Sequence, residues 1–267
     1  MALVWADGFD HYGTGSTGNA NMATRYSILS TCTPETTRPR TGTHSIKFTG
    51  TGFGFGRSFP AAKTTVGVAA NFWFTTVGNE IGIMCLNDLN AAYQITVQNN
   101  ADGSVSVVRG DLGGTEIGRT ATGVMTAQTW VHVALWYIAS STASATDGTV
   151  IVRIGGSAGT TLTCANVDNV NSAVASVSSC GFLGIHLGDN QNCYIDDLVV
   201  NDATGSYNNT IMDVQRCYMA LPDADVAGND FVAAAGSGYE NLNVIPPADS
   251  TSYIQSNTVA DSSDFGI

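Results

Sequence analysis

Residues 130–139, WVHVALWYIA, form the longest apolar stretch of the chain and decide its fold class. An apolar run of this length bounded by polar turns is typical of a strand covered on both faces, which predicts a place in the core of a β-sandwich. Residues 71–77, NFWFTTV, predict a second central strand in the same way. Residues 93–98, YQITVQ, alternate apolar and polar side chains, which predicts a strand with one buried and one wet face.

Short turns separate these strands. Two Asp-Gly pairs, at 102–103 and 147–148, can adopt the positive φ angles that tight hairpins require, and residues 188–192, GDNQN, predict a further hairpin. No segment shows the 3.6-residue apolar period of an amphipathic helix, although residues 165–178 fit either one short helix or an irregular loop. The pattern therefore predicts an all-β sandwich or barrel.

The composition excludes several classes of partner. The chain has 267 residues, of which 43% are hydrophobic and 12% charged, so it can bury a substantial core. Its net charge is −12 with ten Lys and Arg residues, which argues against nucleic acid and against an anionic membrane as partners, because both are bound by clustered cations. The six cysteines lie far apart without a CxxC pair, which argues against structural zinc and leaves disulfide pairing open.

The chain shows no targeting signal. Residues 1–10, MALVWADGFD, have neither the basic nor the apolar segment of a signal peptide. No run approaches the roughly 18 apolar residues that indicate a membrane span. We therefore expect synthesis and folding in a cytoplasm.

Beyond about residue 204 the strand pattern ends. Residues 213–218 fit one more strand, but the chain is loop-like from Leu221 onward, and residues 253–267 contain few apolar anchors. Such a segment packs along its own domain or against a neighbour. The sequence predicts a β-sandwich over 1–204 and a loop-rich C-terminal extension or arm over 205–267, packing on the sandwich or on a neighbouring subunit.

Two motifs resemble a known superfamily. Residues 123–134, GVMTAQTWVHVA, resemble the core of laminin-G-like, concanavalin A-like domains, in which a Trp-x-His-Val strand follows a polar turn. Residues 194–200, YIDDLVV, are similar to the closing strand of that superfamily. The resemblance covers residues 1–204 and implies a jelly-roll β-sandwich of two antiparallel sheets.

A narrower resemblance reaches both ends of the chain. Residues 5–12 (WADGFDHY), 40–46 (RTGTHSI), 239–243 (YENLN) and 250–254 (STSYI) look like a family of virion structural proteins of tailed bacteriophages. The resemblance implies a location in the virion after synthesis in the host bacterial cytoplasm. It also implies other virion proteins as partners, such as major capsid or tail subunits, and homo-oligomer or lattice contacts.

Carboxylate pairs of the glycoside hydrolase kind are missing from the sequence. Those enzymes place two carboxylates on either side of the scissile bond. The four glutamates are isolated from one another and are Glu35, Glu80, Glu116 and Glu240. Asp196 and Asp197 are adjacent, and a regular strand points adjacent side chains to opposite faces.

The histidines have structural interpretations. His132 and His186 lie in apolar strands and are expected to be satisfied core or cross-strand residues, whereas His11 and His44 lie in polar surroundings and are expected at the surface. No Gly-x-Ser-x-Gly elbow accompanies them. We therefore predict no catalytic residues and no enzyme.

Calcium is the one cofactor that the sequence suggests. Asp189, Asn190 and Asp196 are candidate ligands, since their oxygens could gather beside the last hairpin, and the alternative is that they are solvated turn residues. Residues 223–228, DADVAG, begin like an EF-hand loop but have Ala227 at the fifth position. No other cofactor is expected.

Aromatic and amide side chains in loop-like segments are candidates for binding a glycan. Tyr207, Asn208 and Tyr239 are the candidates, together with Tyr12 and Tyr218, because sugars stack on exposed rings and hydrogen-bond to amides. The alternative is that these side chains anchor loops or fill protein–protein contacts.

These observations together predict a non-enzymatic structural protein of a tailed-phage virion, either a capsid decoration (cement) protein or a head-fibre protein. The alternative is a glycan-binding adhesin module or a tail-associated protein that contacts the host surface. A head location is favoured over a tail location by the acidic, compact sandwich with its adherent arm.

Overall fold

The apolar stretch around Trp130 forms a central strand of a two-layer β-sandwich. The computed structural model describes residues 3–30, 32–48, 53–78, 80–183, 193–204 and 210–217, and four two-residue strands further along the chain. In this part of the chain nearly all regular structure is β, with one short helix. The prediction of a concanavalin A-like jelly-roll sandwich of two antiparallel sheets is confirmed.

The strands divide between two large sheets. The eight-stranded sheet contains β1 (Leu3–Asp7), β3 (Cys32–Glu35), β4 (Ser45–Phe48), β6 (Thr65–Phe74), β11 (Trp130–Ile138), β12 (Gly148–Ile154), β13 (Thr160–Val167) and β15 (Cys193–Asp202). The seven-stranded sheet contains β2 (Ile28–Leu29), β5 (Phe53–Lys63), β7 (Ile81–Asn87), β8 (Tyr93–Asn99), β9 (Val105–Arg109), β10 (Thr115–Arg119) and β14 (Val177–Leu183). Two small pairs join β16 (Ala224–Asp225) to β19 (Phe265–Gly266) and β17 (Val232–Ala233) to β18 (Ile254–Gln255).

The order of the strands places β15 beside three partners. In the eight-stranded sheet the order is β13-β12-β11-β6-β15-β4-β3, and in the other it is β10-β9-β8-β7-β14-β5-β2. The first residues of β15 pair with β4, whereas its later residues, from Leu198 to Asn201, pair with β1. The N-terminal strand therefore lies directly beside the last strand of the sandwich.

The core lies between the two sheets. Val131, Val133, Leu135 and Tyr137 of β11 point into it and are buried, as the apolar run predicts. The ring of Phe55 in the other sheet stacks on Phe48 and Phe182 with centroids 5.8 and 5.0 Å apart. Such offset aromatic packing adds to the stabilisation from burial alone.

The sequence did not predict the helix α1, Gly15–Ala23, and the reason is physical. Its sequence, GSTGNANMA, contains two glycines and two asparagines and has poor helix propensity. Met22 is completely buried in the core, and a Cβ on Gly18 would lie 3.0 Å from a side-chain carbon of Pro34. Packing against β3, rather than propensity, therefore holds this helix.

Of the two alternatives for residues 165–178, the loop is confirmed. The chain leaves β13 at Val167 and enters β14 at Val177. Asn169 holds the loop against the sheet, because its amide nitrogen donates to the Ile138 carbonyl at 2.8 Å and its oxygen accepts from the Ser140 amide at 2.8 Å.

Residues 210–217 return across the outer face of the eight-stranded sheet. Met212 is buried against Ala69, Ala134 and Val199, one residue from each of three neighbouring strands. We call residues 210–217 the return segment. The division into a sandwich over 1–204 and an arm over 205–267 stays a prediction. In the part of the chain that the structure describes, no helix is long and apolar enough to cross a membrane.

Candidate functional site

A β-bulge in β15 brings the buried carboxylates of Asp196 and Asp197 together. The register with β6 shifts between Asp196 and Val199, and Asp197 takes a φ of 54°. The expectation that Asp196 and Asp197 point to opposite faces is wrong, because the bulge breaks the strand alternation. Both carboxylates reach the same segment, Arg40–Thr41.

Asp197 is fully buried and joins four parts of the chain. Its carboxylate accepts from the Arg40 guanidinium, the Thr41 hydroxyl, the Asn71 amide at 3.3 Å and the Cys217 backbone amide at 2.7 Å. The Arg40 side chain is 15% exposed, so the ion pair lies largely out of water. A buried carboxylate persists only with such compensation, which makes Asp197 a structural tie rather than an available acid or base.

Asp196 is held by the backbone. Its carboxylate accepts from the amides of Arg40 at 2.7 Å, Thr41 at 3.1 Å and Asp197 at 2.7 Å. Burial and the neighbouring Asp197 carboxylate raise the pKa of Asp196 to about 7. The oxygens expected to bind calcium are thus engaged by amides, while Asp189 and Asn190 lie outside the described residues. Calcium binding stays a prediction.

A second buried carboxylate organises the N-terminal turn. Asp7, at the end of β1, accepts from the Phe9 amide at 2.8 Å, from the Tyr12 hydroxyl at 2.6 Å and from the Tyr26 hydroxyl at 2.8 Å. Burial, reinforced by the Asp7 charge, raises the pKa of both phenols far above the usual range. Tyr12 is 1% exposed, so it cannot serve as the sugar-stacking ring that the sequence suggested.

Asp10 connects this turn to the segment that follows Arg40. Its Oδ1 accepts from the backbone amides of Thr43 at 2.6 Å and His44 at 2.9 Å. Gly42 is required there, since it has a φ of +62° and a Cβ would overlap the Asp10 carboxylate. The motifs at 5–12, 40–46 and 194–200 therefore meet in space.

A cavity of about 380 Å3 opens beside this junction, and we call it the β1 cavity. The polar side chains lining it come from the N-terminal turn and the return segment, and they are those of Asp7, Asp10, His11, Gln215, Arg216 and Cys217. The two segments are in tight contact, since a Cβ on Gly8 would lie 2.2 Å from the Cys217 carbonyl oxygen. Apolar wall is supplied by Leu3, Ala6 and Val199.

His11 is the titratable ring best placed to meet a ligand in this cavity. Its side chain is 32% exposed, its ring lies 4.0 Å from that of Tyr12, and its Nδ1 is 4.0 Å from the Asp7 carboxylate. Cys217 is no nucleophile here, because burial and the nearby Asp197 charge raise the pKa of its thiol to about 12.

His132 differs from its expected role as a satisfied core residue. It lies on the outer face of β11, is 3% exposed, and neither ring nitrogen has a hydrogen-bond partner among the described residues. Burial, and after it the Arg40 charge, lowers the pKa of His132 to about 4. His44 is half-buried, as a loop residue, and His186 lies outside the described residues.

The remaining candidates fall outside this region. Tyr207, Asn208, Tyr218 and Tyr239 are not among the described residues, so their glycan-binding roles stay predictions. In the described ranges, no cluster of three or more His, Cys, Asp or Glu side chains could hold a metal ion.

Comparison with solved structures identifies proteins of the same fold. The marine PL-14 alginate lyase from Aplysia kurodai matches with a TM-score of 0.54 and 10% identity, over 75% of this chain and 99% of that one. A mutant of alginate lyase Aly36B, in complex with an alginate trisaccharide, matches with a TM-score of 0.52 and 13% identity, over 75% and 98%. No protein-family model and no curated protein matches the chain. At these identities the likeness shows the fold.

This comparison contradicts two predictions. The chain was expected to be a non-enzymatic virion structural protein, a capsid decoration or head-fibre protein, with an adhesin or tail-associated protein as the alternative. The two solved structures named above are instead alginate lyases, and this finding contradicts the predictions of a non-enzymatic structural role and of no enzyme. The prediction of no enzyme rested on the missing carboxylate pair of glycoside hydrolysis, and a lyase does not need that pair.

The β1 cavity escaped the sequence analysis for a different reason. His11 and Arg216 are about 200 positions apart in sequence, and only the return segment brings them to one cavity. The one signal in the sequence was the pair of polar motifs at 5–12 and 40–46, whose residues indicate a functional region but not that they meet in space.

Replacing Arg40 tests the buried tie. Arg40→Met leaves the buried Asp197 carboxylate without its cation, and we expect the free energy of unfolding in urea to fall by about 3–5 kcal/mol. The matched variant Arg119→Met removes the exposed pair with Asp102, in which both side chains are 43% exposed, and should leave the urea midpoint unchanged. Equal midpoints for the two variants would contradict the assignment of Asp197 as the tie.

The pKa of His132 predicts a pH dependence of stability. The folded protein holds His132 neutral down to about pH 4, whereas the unfolded chain protonates it near 6.5, so acidification favours the unfolded state. At about 1.4 kcal/mol per pKa unit, wild type should lose about 3 kcal/mol relative to His132→Gln between pH 7 and 4.

Urea titrations of both proteins across this range provide the measurement. The opposite trend from Asp196 is present in both proteins and cancels in the difference. Parallel stability curves for wild type and His132→Gln would show that His132 is not buried as a neutral ring.

Proposed function

We propose that this protein binds an acidic polysaccharide in the β1 cavity and cleaves it by β-elimination. The observation that carries the proposal is the position of His11, whose imidazole is one-third exposed, next to a buried carboxylate in a cavity that Arg216 also lines. The shared fold with two alginate lyases supports the choice of substrate class, since their names give alginate as what they act on.

The chemistry needs three contributions from the protein. In a uronate unit the carboxylate makes the hydrogen on the neighbouring ring carbon acidic, and neutralising that carboxylate stabilises the carbanion that forms. A base then removes the proton, and the released electron pair forms a carbon–carbon double bond as the bond to the glycosidic oxygen breaks. The departing oxygen takes a proton, so the products are a chain with a hydroxyl end and a chain with an unsaturated uronate.

His11 is suited to the proton transfers. A neutral imidazole accepts the proton from carbon, and the resulting imidazolium can return it to the departing oxygen on the same face of the sugar. The Asp7 carboxylate lies 4.0 Å from Nδ1 of the ring, within the range of an ion pair once the imidazole is protonated. Because the Phe9 amide and two tyrosines fix Asp7, the carboxylate can orient and stabilise the charged ring.

Arg216 and Gln215 are suited to bind the uronate carboxylate. A guanidinium matches a carboxylate with two parallel hydrogen bonds, and an amide adds a further donor. The Arg40 guanidinium also donates to the Gln215 carbonyl at 3.0 Å, which fixes the backbone that carries both side chains. Their placement therefore depends on the same buried tie that holds Asp197.

Turnover of polyuronates tests the proposal. Alginate, polyglucuronate and polygalacturonate are incubated with the protein, and the ultraviolet absorbance of the new conjugated double bond is followed. We expect His11→Gln to lower kcat by roughly 100-fold or more, as loss of a general base does, and Arg216→Gln to raise KM. His44→Gln, at a histidine outside the cavity, is the matched control and should retain wild-type kinetics.

Two results would contradict the proposal. One is the absence of unsaturated product from all three polymers with folded protein. The other is a His11→Gln variant with the kcat of wild type, which would place any elimination at another site.

The virion location and the virion partners stay predictions that follow from the sequence resemblance. An enzyme carried on a particle would act on the polysaccharide of the host surface, so the location is compatible with the proposed reaction. Mass spectrometry of purified particles tests this location. If the particles lack the protein, the virion location is wrong, and the proposed enzymatic activity is unaffected.

A further inference from the structure

A second cavity lies on the outer face of the seven-stranded sheet, away from the β1 cavity. Its volume is about 200 Å3, and it opens where β2, β5, β7 and β14 lie side by side. Its lining includes Ser27, Ser58, Ser179 and Asn87 with the aliphatic side chains of Ile28 and Leu89. We call it the serine groove.

One buried atom in this groove has no partner. Asn87 is 4% exposed, and its Oδ1 makes no hydrogen bond to any described residue. Leaving such an acceptor without a hydrogen bond destabilises the folded protein. Asn87 lines the groove, so a rotation of its side-chain amide would let the buried Oδ1 accept a hydrogen bond from a bound molecule.

The charges of the groove select a neutral ligand. Among the described residues that line it, none is cationic, and Asp88 is the one anionic side chain. The Asp88 carboxylate is already engaged, with one oxygen accepting from the amides of Asn90 and Ala92 and the other from Gln94 and Ser172. No charge therefore remains to bind an acidic sugar or a phosphate.

The serine hydroxyls of the groove suit the polar edge of a sugar ring, and the aliphatic side chains at its rim suit the apolar face. Ser58 donates to Ser27 at 3.1 Å, and Ser27 donates to the Gly56 carbonyl at 3.2 Å, so these hydroxyls can still accept from a ligand. Leu89 is 67% exposed and Ile28 is 41% exposed at the rim, so both side chains are available to a ligand. Aliphatic side chains of this kind cover the C–H face of a pyranose.

Hydrogen bonds hold the turn at one edge of the groove in place. Asp88 fixes the turn after β7 through two backbone amides, and Ala91 in that turn is held at a φ of 61°. A turn fixed before binding lowers the entropy cost of binding.

We propose that the serine groove binds one neutral sugar unit, with the Asn87 amide rotating so that Oδ1 accepts a hydrogen bond from a ring hydroxyl, and with Leu89 packing on the ring. The volume is below the roughly 300–1,000 Å3 of sites for drug-sized ligands, which fits a single ring rather than an oligomer. The site is independent of the proposed elimination, since it lies on the other sheet and the Asp88 carboxylate in it is already engaged by four hydrogen bonds.

A titration of isotope-labelled protein with glucose, galactose, mannose and N-acetylglucosamine tests the proposal by NMR. At least one sugar should shift amide signals confined to residues 27–28, 56–58, 87–91 and 178–180. Asn87→Leu, nearly the same shape without the acceptor, should weaken binding roughly tenfold or more, because it removes a buried hydrogen bond.

Three further variants make the outcome decisive. Leu89→Ala changes an exposed rim residue that folding does not need and should weaken binding roughly threefold, even if Asn87→Leu fails to fold. Thr163→Ala, on the exposed outer face of β13, is the matched control and should bind as wild type does. His11→Gln should bind neutral sugars normally, which separates this site from the proposed catalytic one.

Three results would overturn the proposal. They are the absence of shifts with all four sugars, shifts located outside the groove, and unchanged affinity in Leu89→Ala.

Discussion

The buried carboxylate of Asp197 is the constraint on which the polar half of the structure depends. A buried charge is stable only when hydrogen bonds and opposite charges replace its contacts with water. Asp197 accepts four such hydrogen bonds from segments that are distant in sequence. The left-handed φ of 54° at Asp197 is a conformation that aspartate tolerates better than most residues. The bulge that results turns two neighbouring carboxylates toward one segment, Arg40–Thr41.

The segments around the β1 cavity are positioned by the hydrogen bonds of Asp197 and by contacts next to them. The segment after Arg40 carries the amides that hold Asp10, and Cys217 positions the end of the return segment. Met212 anchors the same segment on the sheet through apolar contact. The cavity is therefore a gap between β1 with the turn after it and the return segment, and buried polar contacts hold both the turn and the return segment in place. His11 stands at the edge of this rigid frame with a third of its side chain exposed.

The proposed elimination gives the buried carboxylates and the base different roles. Asp7, Asp196 and Asp197 are all engaged by donors and act as structural ties, so a search for carboxylate pairs finds none that is available. An elimination needs a base, a cation and an oriented carboxylate instead. Two outer faces of one sandwich can then offer different chemistry, with titratable groups near β1 and neutral hydroxyls in the serine groove.

The sequence by itself determined the sandwich, because strand alternation and apolar runs such as residues 130–139 are local signals of burial. It also indicated the three polar motifs, although not that they meet. Tertiary structure alone decided the bulge at Asp197, the helix held by Met22 and the cavity between His11 and Arg216. These features arise from contacts between residues far apart in the chain. Their energies come from desolvation and close packing, which no local pattern of residues encodes.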